Sequence, residues 1–188
     1  MSFLKKLFSS KTSQSSNPET SQQQVKEIIS ESYFEERYTH QDLDVGMLDG
    51  CLKMVESYFM DNKIERRVAN PVNHPSNLDQ TMDDGFGFKM YCQAFQLGES
   101  EAMLFLAIAF SDFLINEFGF KLYKDNQPEY PLRGMTLKYD KDGALLSLYP
   151  YESKVLNYEA EFTGLYEKIK EHLGNMPSVD DLLNQLKS

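Results

Sequence analysis

Apolar side chains recur at steps of three and four residues along several stretches of the chain. This spacing predicts amphipathic helices. The clearest stretch covers residues 41–62, and its apolar positions share one face: Met47, Leu48, Cys51, Leu52, Val55, Tyr58 and Phe59. The same spacing predicts helices over residues 21–32, 78–97 and 152–173, and a capping-box pattern predicts a short helix from about residue 178.

A further helix is predicted from Ser100, as its cap, to Phe118, where Gly119 ends it. Its first half is apolar on every side, so it has no face suited to water. Asp112 interrupts the apolar run, which is shorter than the ~20 residues needed to cross a membrane. The sequence therefore predicts a buried, central helix and no transmembrane segment.

After Gly119 the periodicity changes to the short apolar or alternating runs that are typical of strands. Such runs occur at residues 120–124, 135–139 and 144–149, and we expect Pro150 to end the last of them. The polar turn at 140–143 ends in glycine and predicts a hairpin between the last two strands. The predicted fold class is α+β, with a helical layer packed through its central helix against a small antiparallel sheet of about three strands.

The N-terminal part of the chain has a different composition. Residues 9–24 are mostly Ser, Gln and Thr, without an aliphatic or aromatic side chain. Nothing there can be buried to offset the entropy of ordering, which predicts a disordered linker between a short tip, 1–8, and a single domain, 25–188. The tip combines apolar and basic residues, which could contact a bilayer interface or a protein groove: Phe3, Leu4, Lys5, Lys6, Leu7 and Phe8.

Composition and charge exclude several classes of protein. The 188 residues carry a net charge of −10, which argues against binding a nucleic-acid backbone. Cys51 and Cys92 are too few for a disulfide framework, and no signal peptide is visible. These features predict a cytoplasmic protein, and the tip leaves a peripheral membrane location open.

No known catalytic or metal-binding pattern is present in the sequence. The three histidines, His40, His74 and His172, lie in different predicted elements without a partner at ligand spacing. Ser111 lacks a nucleophile-elbow sequence, and both cysteines fall in amphipathic helices, where an unreactive packing role is favoured. We therefore predict no catalytic residue, no metal and no cofactor.

The most distinctive local pattern is the acidic, glycine-rich segment at residues 83–88. Asp83 and Asp84 could position a cation or an acid–base pair, but the remaining calcium-loop ligands are missing. The favoured interpretation is an acidic helical turn whose glycines allow close packing. If the protein binds a small ligand, His74, Asp83, Asp84 and Arg133 are the first candidates to contact it.

Three segments carry a resemblance to a known family. They are Ala107–Leu114, with the triplet Phe110-Ser111-Asp112; Phe118–Tyr123; and Leu145–Pro150, which closes on Tyr-Pro. Over roughly residues 45–170 the chain resembles the uncharacterised bacterial domain of unknown function 3806, from which it departs by Ser111 in place of glycine and Tyr149 in place of phenylalanine. The resemblance implies a bacterial cytoplasmic protein and an α+β order, and it transfers no functional residue.

The leading functional hypothesis is a non-enzymatic, protein-binding module, such as an inhibitor or immunity-type protein or an adaptor. It predicts a contiguous apolar or acidic surface patch. One alternative is an enzyme or small-ligand-binding protein with a pocket between sheet and helices. The other is a peripheral membrane protein held by residues 1–8.

Overall fold

Seven helices and one four-stranded antiparallel sheet form the part of the chain that the computed structural model describes, residues 31–126, 134–139 and 144–174. The strands, in sheet order, are β1 Tyr38–His40, β2 Lys121–Asp125, β3 Met135–Tyr139 and β4 Ala144–Ser147. The helices are α1 Glu31–Arg37, α2 Val45–Asn62, α3 Pro75–Asp83, α4 Phe88–Ala94, α5 Glu99–Phe118, α6 Leu148–Leu156 and α7 Phe162–Gly174. The predicted α+β class is confirmed. The predicted helix at 21–32 lies outside the described residues except for its last two, which belong to α1, and the predicted helix from 178 lies wholly outside them.

Helix α5 is the centre of the fold, as its uniformly apolar composition predicts. It packs against α2, α3, α4, α6 and β2, and side chains from all round its circumference are fully buried. Gly119 ends it in the left-handed conformation, with φ +75°. Its start differs from the prediction, because Gly98 and not Ser100 takes the cap position, and the Glu101 carboxylate accepts a hydrogen bond from the Gly98 amide at 2.9 Å.

The sheet has one more strand than the three predicted. The β3–β4 pairing is confirmed, with Leu137 opposite Leu146, although the turn at 140–143 lies outside the described residues. The additional strand β1 pairs with β2, and the Arg37 guanidinium binds the buried Asp125 carboxylate at 2.7 Å. Three residues are too few to show a strand periodicity, so the sequence pattern did not predict β1.

Two predicted long helices are each divided in the structure. The prediction over 78–97 is wrong between α3 and α4, where Gly85 and Gly87 adopt φ values of +71° and +79° that a helix does not allow. The prediction over 152–173 is wrong in the same way, since Tyr158 has φ +59° and separates α6 from α7. Helix α6 also begins earlier than predicted, at Leu148. The strand predicted over 144–149 therefore ends at Ser147 and not at Pro150, which is tolerated in the first turn of the helix.

Candidate functional site

Several large apolar side chains are exposed around the short helix α4. We call this set the Phe86 surface, and its members are exposed by 75%, 63%, 54% and 72% respectively: Phe86, Met90, Phe95 and Tyr158. The Phe95 ring packs on the buried Tyr91 ring, with centroids 5.1 Å apart. The Tyr158 hydroxyl lies 3.7 Å from where a side chain on Gly87 would begin, which places Tyr158 beside the loop that carries Phe86.

The loop between α3 and α4 is held by one buried side chain. Tyr58 of α2 is fully buried, and its hydroxyl donates to the Asp84 carbonyl and accepts from the Gly87 amide at 3.2 Å. The two bonds fix the backbone on both sides of Phe86. Burial raises the pKa of the Tyr58 hydroxyl, so it stays protonated and can make both bonds at neutral pH.

Gly85 is required in this loop for a steric reason as well as a conformational one. A Cβ on Gly85 would lie 2.9 Å from the Tyr58 hydroxyl oxygen and 3.1 Å from Ile64, so only glycine fits this close approach. The glycines thus turn the chain so that Phe88 enters the core while Phe86 faces solvent. The loop therefore displays an aromatic side chain from a backbone anchored to the core.

A cavity of about 280 Å³ lies at the base of this surface, and we call it the Phe86 groove. Its lining is largely apolar, with two polar residues from the end of α2: Asp61, Asn62, Phe86, Met90, Tyr91 and Ala94. The Tyr91 hydroxyl donates to the exposed Asp61 carboxylate at 2.5 Å. Burial and the neighbouring Asp61 raise the pKa of Tyr91, so this bond persists at neutral pH and orients the carboxylate at the rim.

Removing the Tyr58 hydroxyl is expected to loosen this loop. Tyr58→Phe leaves the Asp84 carbonyl and the Gly87 amide without their partner, which costs about 1 to 3 kcal/mol of unfolding free energy when such groups are buried. Urea denaturation measures the loss, and amide hydrogen exchange at residues 84–87 should rise. Tyr91→Phe is the matched control, because its hydroxyl binds an exposed carboxylate; a change confined to that variant would contradict the role of Tyr58.

The structure separates the residues predicted as ligand candidates. His74 precedes α3 and Asp83 ends it, nine residues apart, which is about 13 Å along a helix axis. Asp83 pairs with Arg67 at 2.8 Å, and the Asp84 carboxylate accepts from the Gln80 amide at 2.9 Å. Arg133 lies outside the described residues. The two aspartates therefore lie at the start of the loop that carries Phe86, and they do not converge with His74.

His74 has a structural role at the start of α3. Its Nδ1 accepts from the Ser76 amide at 3.2 Å, and its ring packs edge-on against Phe113 and Tyr166. Burial lowers the pKa of His74 below 6.5, opposed by the nearby Glu117 carboxylate. The neutral ring that results at pH 7 is the form in which Nδ1 can accept a hydrogen bond.

Besides Asp125, two further buried acidic residues were not predicted from the sequence. The Asp79 carboxylate binds the first amides of α7, 83 and 84 positions away in the chain. Glu152 of α6 is fully buried, and neither of its carboxylate oxygens has a hydrogen-bond partner among the described residues. In the sequence both are ordinary acidic residues of predicted helices. The only signal for Asp79 would have been a charged residue on an apolar helix face.

Other reactive groups of the described residues show no assembled site. Cys51 and Cys92 are buried free thiols, and burial raises their pKa values to about 11 and about 12. Within the described ranges, no three His, Cys, Asp or Glu side chains come together as a metal site would require. In those same ranges, no helix has the length and apolar character to cross a membrane.

A second cavity, of about 370 Å³, lies along the other side of α2 and the segment that follows it. Its lining mixes both signs of charge with apolar residues: Glu56, Phe59, Met60, Lys63, Ile64, Glu65 and Arg66. None of the predicted ligand candidates lines it. Neither cavity contains a strand residue, so neither lies between the sheet and the helices, where the sequence hypothesis of a ligand pocket placed one.

Comparisons with known proteins give no relative: no family model matches the chain, and neither the curated proteins nor the solved structures contain a significant match. The resemblance to the domain of unknown function 3806 therefore stays a prediction. The interpretation of the site rests on the geometry of the Phe86 surface and its groove.

Proposed function

We propose that this chain is a non-enzymatic protein-binding module, of the inhibitor or adaptor kind, and that the Phe86 surface is its binding face. The observation that supports this proposal most directly is the exposure of Phe86 on a loop whose backbone is bonded to buried Tyr58. An aromatic side chain that is exposed to solvent does not contribute to the stability of the fold. A rigid carrier lowers the entropy lost when such a side chain binds.

The residue types of the surface also favour a protein partner. Phe, Tyr and Met are enriched at the cores of protein interfaces, and a few aromatic residues usually supply most of the binding energy. The groove beside Phe86 offers a small apolar depression with one carboxylate at its rim. A partner would bury an apolar side chain there and place a donor or a cation against Asp61.

The experiment is quantitative capture of proteins from the native host's lysate on the full-length chain and two variants. Phe86→Ser removes the displayed ring, while Val45→Ser removes an equally exposed side chain at the opposite end of α2, about 24 Å from Asp61. We expect wild type and Val45→Ser to capture one protein in stoichiometric amount. Phe86→Ser should capture at least about tenfold less of it, which is the effect of losing one hot-spot contact. Equal retention by all three, or capture by none, would contradict the proposal.

A further inference from the structure

The Phe86 groove presents a specific combination of chemistry. Phe86, Met90 and Ala94 line it with apolar side chains, and Asp61, whose carboxylate accepts from the Tyr91 hydroxyl, lines it as well. Among the described residues no lysine or arginine is ion-paired with that carboxylate; Lys89 pairs with Glu99, and Lys63 lines the other cavity. The groove therefore suits a short apolar segment that also carries positive charge.

The chain itself contains a segment with this chemistry. Phe3 and Leu7, and likewise Leu4 and Phe8, are four residues apart, and Lys5 and Lys6 lie between them. Residues 1–24 contain three lysines and one glutamate, for a charge of +2, so the remainder of the chain carries −12. Attraction between the two parts of the chain adds to the apolar match.

The chain length allows this segment to reach the groove. Twenty-two residues, 9–30, separate the tip from the start of the described structure, and that number can span up to about 75 Å. A folded body of about 140 residues has a radius of gyration near 15 Å, so every point on its surface is within reach. A tether of this length gives an effective concentration on the order of millimolar, enough to make even a weak contact populated.

We propose that residues 3–8 of this chain occupy the Phe86 groove, with their apolar side chains against Phe86 and Met90 and a lysine at Asp61. This inference rests on the proposed function, because the segment would cover the binding face and an external partner would have to displace it. The module is then regulated by competition: any event that draws residues 3–8 away, such as binding of the tip elsewhere, exposes the groove.

Paramagnetic relaxation in the full-length chain tests this directly. Ser2→Cys supplies an attachment point for a spin label, and Cys51 and Cys92 stay unlabelled because they are buried thiols of raised pKa. The methionine methyl groups carry the isotope label, with the Met90 signal assigned by Met90→Leu. We expect the Met90 signal to lose most of its intensity, while the Met47 signal, at the other end of α2, keeps most of its own.

Two further samples separate the alternatives. The same labelled chain with Leu4→Asp and Leu7→Asp should recover the Met90 signal, and an intact Met90 signal in the original sample would overturn the inference. A mixture of spin-labelled and isotope-labelled chains should show no loss; a loss there would mean that the tip binds a second copy, which also overturns it. Capture on the chain with Leu4→Asp and Leu7→Asp, with and without Phe86→Ser, tests the proposed function while the tip cannot cover the groove, so either proposal can fail alone.

Discussion

Replacing Asp79 with alanine is expected to lower the free energy of unfolding by about 3 kcal/mol, since hydrogen bonds to a charged group contribute about 1.5 to 3 kcal/mol each and do not add fully. One carboxylate oxygen accepts from the Phe162 amide at 2.6 Å, and the other accepts from the amide and the hydroxyl of Thr163 at 2.9 and 2.6 Å. These donors are the otherwise unpaired groups at the start of α7. Asp79 thus serves as the N-cap of a helix that is distant in sequence.

The effect on α7 should extend beyond its first turn. Phe162 is fully buried and packs edge-on against Phe110 of the central helix, with ring centroids 4.9 Å apart. Loss of the cap would therefore loosen a helix end that belongs to the core. Amide exchange along α7 should accelerate more than exchange in the sheet.

Asp79→Asn is the matched control for this prediction. The asparagine amide keeps one acceptor oxygen but places an NH2 donor where the other carboxylate oxygen was, facing donors. Asp79→Asn should therefore lose much unfolding free energy, but less than Asp79→Ala. Chemical denaturation compares the three proteins. If Asp79→Ala were as stable as wild type, α7 would not depend on this cap.

Replacing Glu152 with methionine is expected to raise the free energy of unfolding, by about 1 to 3 kcal/mol, because it removes a buried carboxylate that has no hydrogen-bond partner among the described residues. Burial raises the pKa of Glu152 well above its ordinary 4.5, and the residue's own backbone N–H opposes this shift only in part. Methionine has a similar length and is suited to an apolar interior. Unfolding in urea at neutral pH measures the gain.

The pH dependence follows from the direction of that shift. Because the folded pKa is the higher one, the folded state holds this proton more tightly than the unfolded state. The contribution of Glu152 to stability is most favourable below about pH 4.5 and is lost progressively as the pH rises through the folded value. The advantage of the methionine variant over wild type should therefore grow with pH above 4.5.

Glu152→Gln separates the charge from the polarity. Glutamine cannot ionise, so its stability relative to wild type should also rise with pH, while its unpaired amide keeps it below the methionine variant. A difference between wild type and glutamine that does not change between pH 4 and pH 8 would show that Glu152 keeps its ordinary pKa in the fold.

Several periodic segments were predicted correctly because their signal is local. The apolar positions at Cys51, Val55, Tyr58 and Phe59 recur with the helical repeat, so the sequence alone placed α2 and its buried face. The central position of α5 followed from the absence of any polar face. Likewise, the hairpin partners β3 and β4 are adjacent in the chain and joined by a short polar turn.

The candidate site was predicted only in part. The segment 83–88 stands out by its two glycines, but a sequence pattern cannot tell which of Phe86 and Phe88 is buried. That choice depends on the Tyr58 hydroxyl, 26 positions from Asp84, which holds the turn against α2. Met90 and Ala94 lie in the helix predicted over 78–97, and after the break at 84–87 they face solvent beside Phe86.

By itself, the sequence determined the fold class and the central helix, since these depend on composition and on spacings within one element. Tertiary structure decided where the long helices divide, which acids are buried and which aromatic side chain is displayed. Each of those outcomes depends on a contact between residues far apart in the chain: Tyr58 with Gly87, and Asp79 with Thr163. Such contacts cannot be predicted from the periodicity of a single sequence, because the residues around each partner show no pattern that indicates the other.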